Sequence, residues 1–364
     1  MLERISGGDF RRLEAIFGWL MGAPAFLGIA MFIILPFLVA IGISFTDARL
    51  VSPNPPEFIG LENYSRLLGF TLLTLEPAVD GETGEVLLDD EGNLQFPRSR
   101  SILRTQEAYK GFFEWFTVDA FGQRYVIAAK DAVFLTSVIN NLKFTLVVVP
   151  VQSGLALVMA LLVNQRLAGV HFFRTTYFSP VVTSMAVLAV VWVLLYNPQA
   201  GLINQLLAFI SAGLLGPFDW LGSTKTALLA IIILSVWQGA GFQMVIFLAG
   251  LQGIPEVLYE AASIDGANAR QRFRHVTLPG LRNTMIFVIM ITTIFSFRLF
   301  TQVDVMTQGG PRDSATSTVV FHAVEKGFRA GDLGYGAAIS VVFFLIVLVI
   351  ALVQRRVLPS EGQE

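Results

Sequence analysis

Two groups of residues in this chain of 364 have types and spacings that could do chemistry, and neither looks like an enzyme's. The first is the segment "IPEVLYEAASIDGANARQRFRHVTLPGLRN", Ile254 to Asn283. Pro255 suits a first helical position, and Glu256 follows at the positive end of the helix dipole. Val257, Leu258, Ala261, Ala262 and Ile264 give a small, apolar face around Tyr259. Gly266 is placed to stop the helix, Ala267 to His275 is strongly basic, and Leu278–Pro279 ends that piece. The spacing predicts a short amphipathic helix lying along a membrane. Ala261 and Ala262 are small enough to enter a partner's groove closely, and Glu260 and Asp265 can pair with partner cations. In the second group, Trp237, Gln238, Gly239, Phe242 and Gln243 interrupt an aliphatic run, and Gly239 and Gly241 permit close approach of a backbone or a ligand. Thr292, Phe295, Ser296 and Leu299 lie at i, i+3, i+4 and i+7 and share one helical face. Amides, hydroxyls and aromatic faces together suit a polyhydroxylated ring. Small and hydroxyl residues also fill interfaces between membrane helices, so packing is the competing use.

Other chemistries lack their residues. The chain has no cysteine, hence no disulfide, thiolate metal site or cysteine nucleophile. His171, His275 and His322 lie far apart in sequence and form no metal spacing. There is no HExxH, no GxSxG and no pair of carboxylates on one helical face, so a membrane enzyme is disfavoured. No lysine follows a glycine, so a Walker-type phosphate loop is missing; if ATP is used, another chain binds it. The formal net charge is −2, without a nucleic-acid footprint.

The elements that position these groups are membrane spans. The chain is 54% hydrophobic and 14% charged, far from soluble composition. A bilayer core about 30 Å thick needs ~20 apolar residues of helix. Six stretches qualify: one within Ala15–Thr46, then about Phe144–Gln165, Tyr177–Tyr196, Thr226–Leu251, Asn283–Phe297 and Tyr335–Gln354. The first is too long for a signal peptide and reads as a retained anchor. Arg4, Arg11 and Arg12 precede it and argue for a cytoplasmic N-terminus. Alternation then places Arg166 and Arg174, Arg270 to Arg282, and Arg355 and Arg356 inside. Asp47 to Lys143 lies outside. It opens on "PEFIGLENYSRLL", a short interfacial helix. "DGETGEVLLDDEGNLQF" reads as a β-hairpin, and the aromatic "EAYKGFFEWFTVDAFGQRYVIAAKD" as further strand. The organisation expected is a cytoplasmic N-terminus (1–15), a first span (16–46), an extracytoplasmic loop (47–143) with an inserted cap at about 71–130, a five-helix core (144–354) holding the cytoplasmic loop 252–282, and a tail (355–364). No Asp or Glu lies well inside a span, which counts against a self-contained, ion-coupled secondary transporter.

The cytoplasmic segment is similar to the EAA motif of ATP-binding-cassette importer permeases: Glu260, Ala261, Ala262, three residues, Gly266, nine residues, Val276, one more, then Leu278 and Pro279. The family usually has Ile where Val276 stands. "FIGLENY" (Phe58–Tyr64), "FFRTTYFSPVV" (Phe172–Val182), "MTQGGP" (Met306–Pro311) and "GYGAA" (Gly334–Ala338) resemble its carbohydrate branch, the maltose and glycerol-phosphate type. The resemblance covers Phe17 to Arg356 apart from about Thr71–Lys130.

The resemblance implies an all-α integral membrane protein with six transmembrane helices, the type I importer core, and a small β-containing extracytoplasmic insertion between helices 1 and 2. It implies a bacterial or archaeal cytoplasmic membrane with both termini inside. Partners would be a second, usually unlike, permease chain, two ABC ATPase subunits and an extracytoplasmic solute-binding protein; no cofactor is implied. Glu256, Tyr259, Glu260, Ala261, Ala262, Asp265, Gly266, Leu278 and Pro279 would couple to the ATPase. Trp237, Gln238, Gly239, Phe242, Thr292, Phe295, Ser296 and Leu299 would contact a sugar or oligosaccharide. The amides that maltose-type permeases carry near Ser296 and Leu299 are missing here, which puts maltose itself in doubt; a non-sugar polar solute is the alternative. Elsewhere the residues read plainly: Arg298 and Asp304 as a local salt bridge, Asn140 and Asn141 as interfacial caps, Trp192 and Tyr196 as aromatic belt, and His275 against headgroups or the ATPase.

Overall fold

The computed structural model describes residues 7–79, 86–88, 93–165, 169–312 and 314–358, with side chains from 14 onward. The first span is α1 (Gly7–Ile29), a π turn (Ala30–Ile34) and α2 (Leu35–Ser44). The π turn precedes Pro36, which has no amide hydrogen to give an α-helical ladder; the Leu35 amide reaches back to the Ala30 carbonyl instead. Helix α3 (Glu62–Leu68) is the short helix expected after Pro56. Its Asn63 amide donates to the Ser44 and Thr46 carbonyls, both at 2.9 Å, and so satisfies the end of α2.

Next come β1 (Phe70–Leu75), α4 (Ser99–Thr105), β2 (Phe113–Ala120) and β3 (Gln123–Ala129). The strands form an antiparallel sheet of order β1-β3-β2, with Phe70 and Phe113 both opposite Ala129. Phe121 and Gly122 close the β2–β3 turn at φ 53 and 75. One sheet face buries Leu73, Leu75, Val126 and Ala128 against Leu103 of α4, as period-2 alternation requires. The strand reading of the aromatic segment therefore holds. The glycines Gly81, Gly84 and Gly92 of the expected hairpin lie outside the described residues; within them, isolated bridges join Val79 to Val86 and Leu88 to Leu94.

The remaining helices are α5 (Ala132–Val163), α6 (Val170–Val182), α7 (Met185–Leu195), α8 (Leu202–Ile210), α9 (Ala227–Gln252), α10 (Glu256–Ile264), α11 (Ala269–Arg272), α12 (Leu278–Gly280), α13 (Arg282–Phe297), α14 (Thr301–Met306), α15 (Val319–Val324) and α16 (Leu333–Val357). Among the described residues four helices are long and apolar enough to cross a membrane, or up to six if each bent pair is one span. The expected continuous span Tyr177–Tyr196 is broken: α6 and α7 meet at 100°. Pro180 removes an amide donor, and Thr183 and Ser184 are extended. The second span starts earlier than expected, at Ala132, capped by the Asp131 carboxylate.

Helices α5 and α9 run parallel. Phe144 and Val148 share one buried cluster with Ala230 and Ile231, while Ala156, Ala160 and Val163 share another with Met244, Phe247 and Leu251. The sheet, which feeds the start of α5, and α10, which follows the end of α9, therefore lie at opposite ends of the bundle.

Candidate functional site

Helix α10 starts after Pro255, which is extended (φ −59, ψ 129) and forms the N-cap rather than the first turn. It ends where expected. Gly266 takes φ +76, and the Gly266 and Ala267 amides bond the Ser263 and Ala262 carbonyls, the Schellman arrangement that favours glycine there. Glu256, Val257, Leu258, Glu260, Ala261, Ile264 and Asp265 are exposed, Ile264 at 86%. Glu256, Glu260 and Asp265 form no ion pair among the described residues. Tyr259 and Ala262 face inward. The Tyr259 hydroxyl lies 3.0 Å from the Thr277 hydroxyl, and Tyr259 packs on the cluster of Leu251, Ile254 and Leu281.

Arg272 donates to the Ser263 hydroxyl at 3.2 Å. The stretch Ala269–Gly280 stays helical through Leu278 and Pro279 and bends by 64° into α13, so Leu278–Pro279 does not end it as expected. Pro279 is exposed and Leu278 half-buried. A Cβ on Gly280 would stand 2.9 Å from the Ile254 side chain. Sequence reading missed Thr277, Gly280 and Ser263; the glycine directly after Leu278–Pro279 was the available signal. His275 is exposed and bonds the Gln271 carbonyl at 3.0 Å.

The second group gathers at mid-bundle. Phe144, Val148 and Gln152 of α5, Ser235, Gln238 and Gly239 of α9, Thr292, Phe295 and Ser296 of α13, and then Arg298, Leu299 and Gln302 line a cavity of about 130 Å³. Six of the eight expected residues line it; Trp237 and Phe242 do not. Trp237 packs its ring 5.5 Å from that of Trp192. Gln152 was missed, and it lies directly over Gly239, where a Cβ would strike its amide. A Cβ on Gly241 would strike the Tyr177 carbonyl oxygen, so that glycine serves helix packing.

The polar groups of the cavity divide in two. Thr292 is bonded to Gln243 and to the Val288 carbonyl, Ser296 to the Thr292 carbonyl, and Ser235 to the Ile231 carbonyl and Gln302. The side chains of Gln152, Gln238 and Arg298 have no hydrogen-bond or ion-pair partner among the described residues. Arg298 does not pair with Asp304, contrary to expectation. Asp304 bonds Arg329 at 2.5 Å, and Arg329 also holds Glu325.

Two further expectations are corrected. Asn140 and Asn141 are not interfacial caps; both are buried inside α5. Asn140 donates to the Ser314 and Ser317 carbonyls and Asn141 accepts from the Val319 amide, which ties down the loop that follows Gly309–Gly310–Pro311. Tyr196 is 2% exposed and donates to the Ala230 carbonyl at 3.1 Å, so it is core rather than belt. Sequence reading also missed a buried cluster at the sheet end. Asp131 accepts from His322 at 2.7 Å, from Tyr335 at 2.5 Å and from the Phe134 amide at 2.9 Å. Burial would raise the Asp131 carboxyl, but these bonds and the His322 charge outweigh it and hold the carboxyl at about 2.

The fold and its central cavity define a polytopic helical membrane protein with a polar chamber between its spans. Residues 127–361 match the family described as binding-protein-dependent transport system inner membrane component, and the chain belongs to that family. It is 33% identical over 244 residues to the probable ABC transporter permease protein YurN of Bacillus subtilis, covering 66% of this chain and 83% of that protein. It is 36% identical over 232 residues to the trehalose/maltose transport system permease protein MalF of Thermococcus litoralis, covering 64% and 76%. It is 32% identical over 256 residues to the sn-glycerol-3-phosphate transport system permease protein UgpA of Escherichia coli, covering 67% and 84%. In fold it resembles a bacterial ABC transporter involved in the import of the acidic polysaccharide alginate, with a TM-score of 0.65 at 16% identity over 98% of this chain and 99% of that one.

Proposed function

We propose that this chain forms half of the pathway of an ATP-driven, solute-binding-protein-dependent importer of a sugar or oligosaccharide. The spans are α1–α2, α5, the broken pair α6–α7, α9, α13 and α16. The N-terminus is cytoplasmic, the sheet forms an extracytoplasmic cap, and α10 docks into an ATPase subunit. The observation that carries this reading is the two-sided character of α10. Its inner side is fixed to the bundle by Tyr259, and its outer side presents Leu258, Ala261 and Ile264 with Glu260 and Asp265, which have no ion-pair partner among the described residues. A helix exposing apolar residues and free charges together is built for a partner. Relatives that are transport permeases for trehalose/maltose and for sn-glycerol-3-phosphate support a polar, carbohydrate-like solute.

Alternating access then follows as rigid-body motion. ATP-driven closure of the ATPases displaces α10, and the bend at Leu281 passes the displacement to α13 and the cavity. The test is co-purification of the ATPase subunit with the permease. Glu260→Arg and deletion of Tyr259–Gly266 are expected to abolish it; assembly surviving both changes would refute the docking role.

A further inference from the structure

We infer that the solute passing this chain carries a negative charge: a carboxylate- or phosphate-bearing saccharide recognised by Arg298. This rests on reading the mid-bundle cavity as part of the solute path. The lining is one-sided in charge. Among the described residues Arg298 is its sole cation, and no Asp or Glu lines it. The carboxylate nearest in sequence, Asp304, is held by Arg329.

Arg298 is exposed at the end of α13, so its guanidinium is open to an incoming group. Here it has no partner among the described residues. The other two open groups, Gln152 and Gln238, are amides with donors and acceptors for hydroxyls, and Phe295 offers a ring face. Hydroxyl-binding amides, an aromatic wall and a guanidinium fork make the complement of a sugar acid or sugar phosphate, because the fork matches both anions bidentately. A neutral sugar would leave the charge of the fork unused. The competing role for Arg298 is local: it caps α13, where a cation suits the negative end of the helix dipole. That role predicts no preference for charged solute.

The test uses the complete transporter in lipid nanodiscs and four probes in matched pairs: digalacturonate and its dimethyl ester, and trehalose 6-phosphate and trehalose. The ratio of dissociation constants within each pair is the readout. At least one anion is expected to bind about tenfold or more tightly than its neutral twin, the pair identifying carboxylate or phosphate. Arg298→Gln is expected to erase the ratio and Arg298→Lys to keep part of it. Equal binding of the twins, or a ratio untouched by Arg298→Gln, would overturn the charge assignment. In that case weakening of both twins by Gln238→Ala would leave the sugar path itself standing. If none of the four probes binds, both the charge assignment and the sugar path fall.

Discussion

The hydroxyls of Tyr259 and Thr277, 3.0 Å apart, join the exposed helix α10 to the stretch that bends into α13. Thr277 stands four residues before Leu281, where the chain turns by 64°, and α13 carries Thr292, Phe295 and Ser296 into the cavity. The two candidate regions are thus linked through one continuous, kinked helical segment.

Breaking that link is expected to loosen coupling rather than assembly. Tyr259→Phe and Thr277→Val each remove one hydrogen bond, worth about 1 kcal/mol, and leave the exposed face of α10 intact. In proteoliposomes we expect ATPase activity to persist while solute uptake per ATP hydrolysed falls. Unchanged stoichiometry in both variants would show that the pair is only a structural contact.

Helix packing around the cavity depends on absent side chains. Gly241→Ala drives a methyl into the Tyr177 carbonyl of α6, and overpacking of this kind costs about 1–3 kcal/mol. Gly28→Ala and Gly154→Ala meet nothing within 4 Å and gain helix propensity. Thermal unfolding in detergent should show a clear drop in Tm for Gly241→Ala and none for the other two.

At the opposite end of the bundle, Asp131 ties the start of α5 to His322 and Tyr335. Its folded carboxyl, at about 2, lies below the unfolded value of about 3.9. The stabilisation is therefore fully present above the unfolded value and is lost as pH falls through about 2. Its size at neutral pH is about 2–3 kcal/mol. Asp131→Asn should lower Tm at pH 7, with the gap from wild type narrowing between pH 4 and pH 2. A gap that does not change over that interval would contradict the assignment.

Periodicity and composition were enough to read the long elements. α9, α13 and α16 fall within a few residues of their expected limits, because long apolar runs flanked by charge leave few alternatives. The first span ends at Ser44, close to the expected Thr46, although its helix begins earlier, at Gly7. Helix α10 was legible through Glu256, Ala261 and Gly266, whose types fit its first turn, exposed face and stop. What sequence did not reveal depends on tertiary partners. Asn140 and Asn141 look like caps until the Ser314–Val319 backbone folds against them. The break at Thr183–Ser184 sits inside an apolar run that hydropathy alone reads as continuous. Gln152 carries no local signal, and only the approach of α5 to Gly239 brings it into the cavity. The Arg298–Asp304 pairing failed because Arg329, distant in sequence, reaches Asp304 first.

The central claim, that α10 is the cytoplasmic grip of an ATPase, is tested most directly by cysteine accessibility, since the chain has no cysteine of its own. An Ala261→Cys variant is predicted to react with a membrane-impermeant maleimide in inverted vesicles stripped of ATPase. It should become protected when the ATPase subunits are added back and remain unlabelled in intact cells. Labelling from the cell exterior, or labelling in inverted vesicles that the ATPase leaves unchanged, would contradict the account.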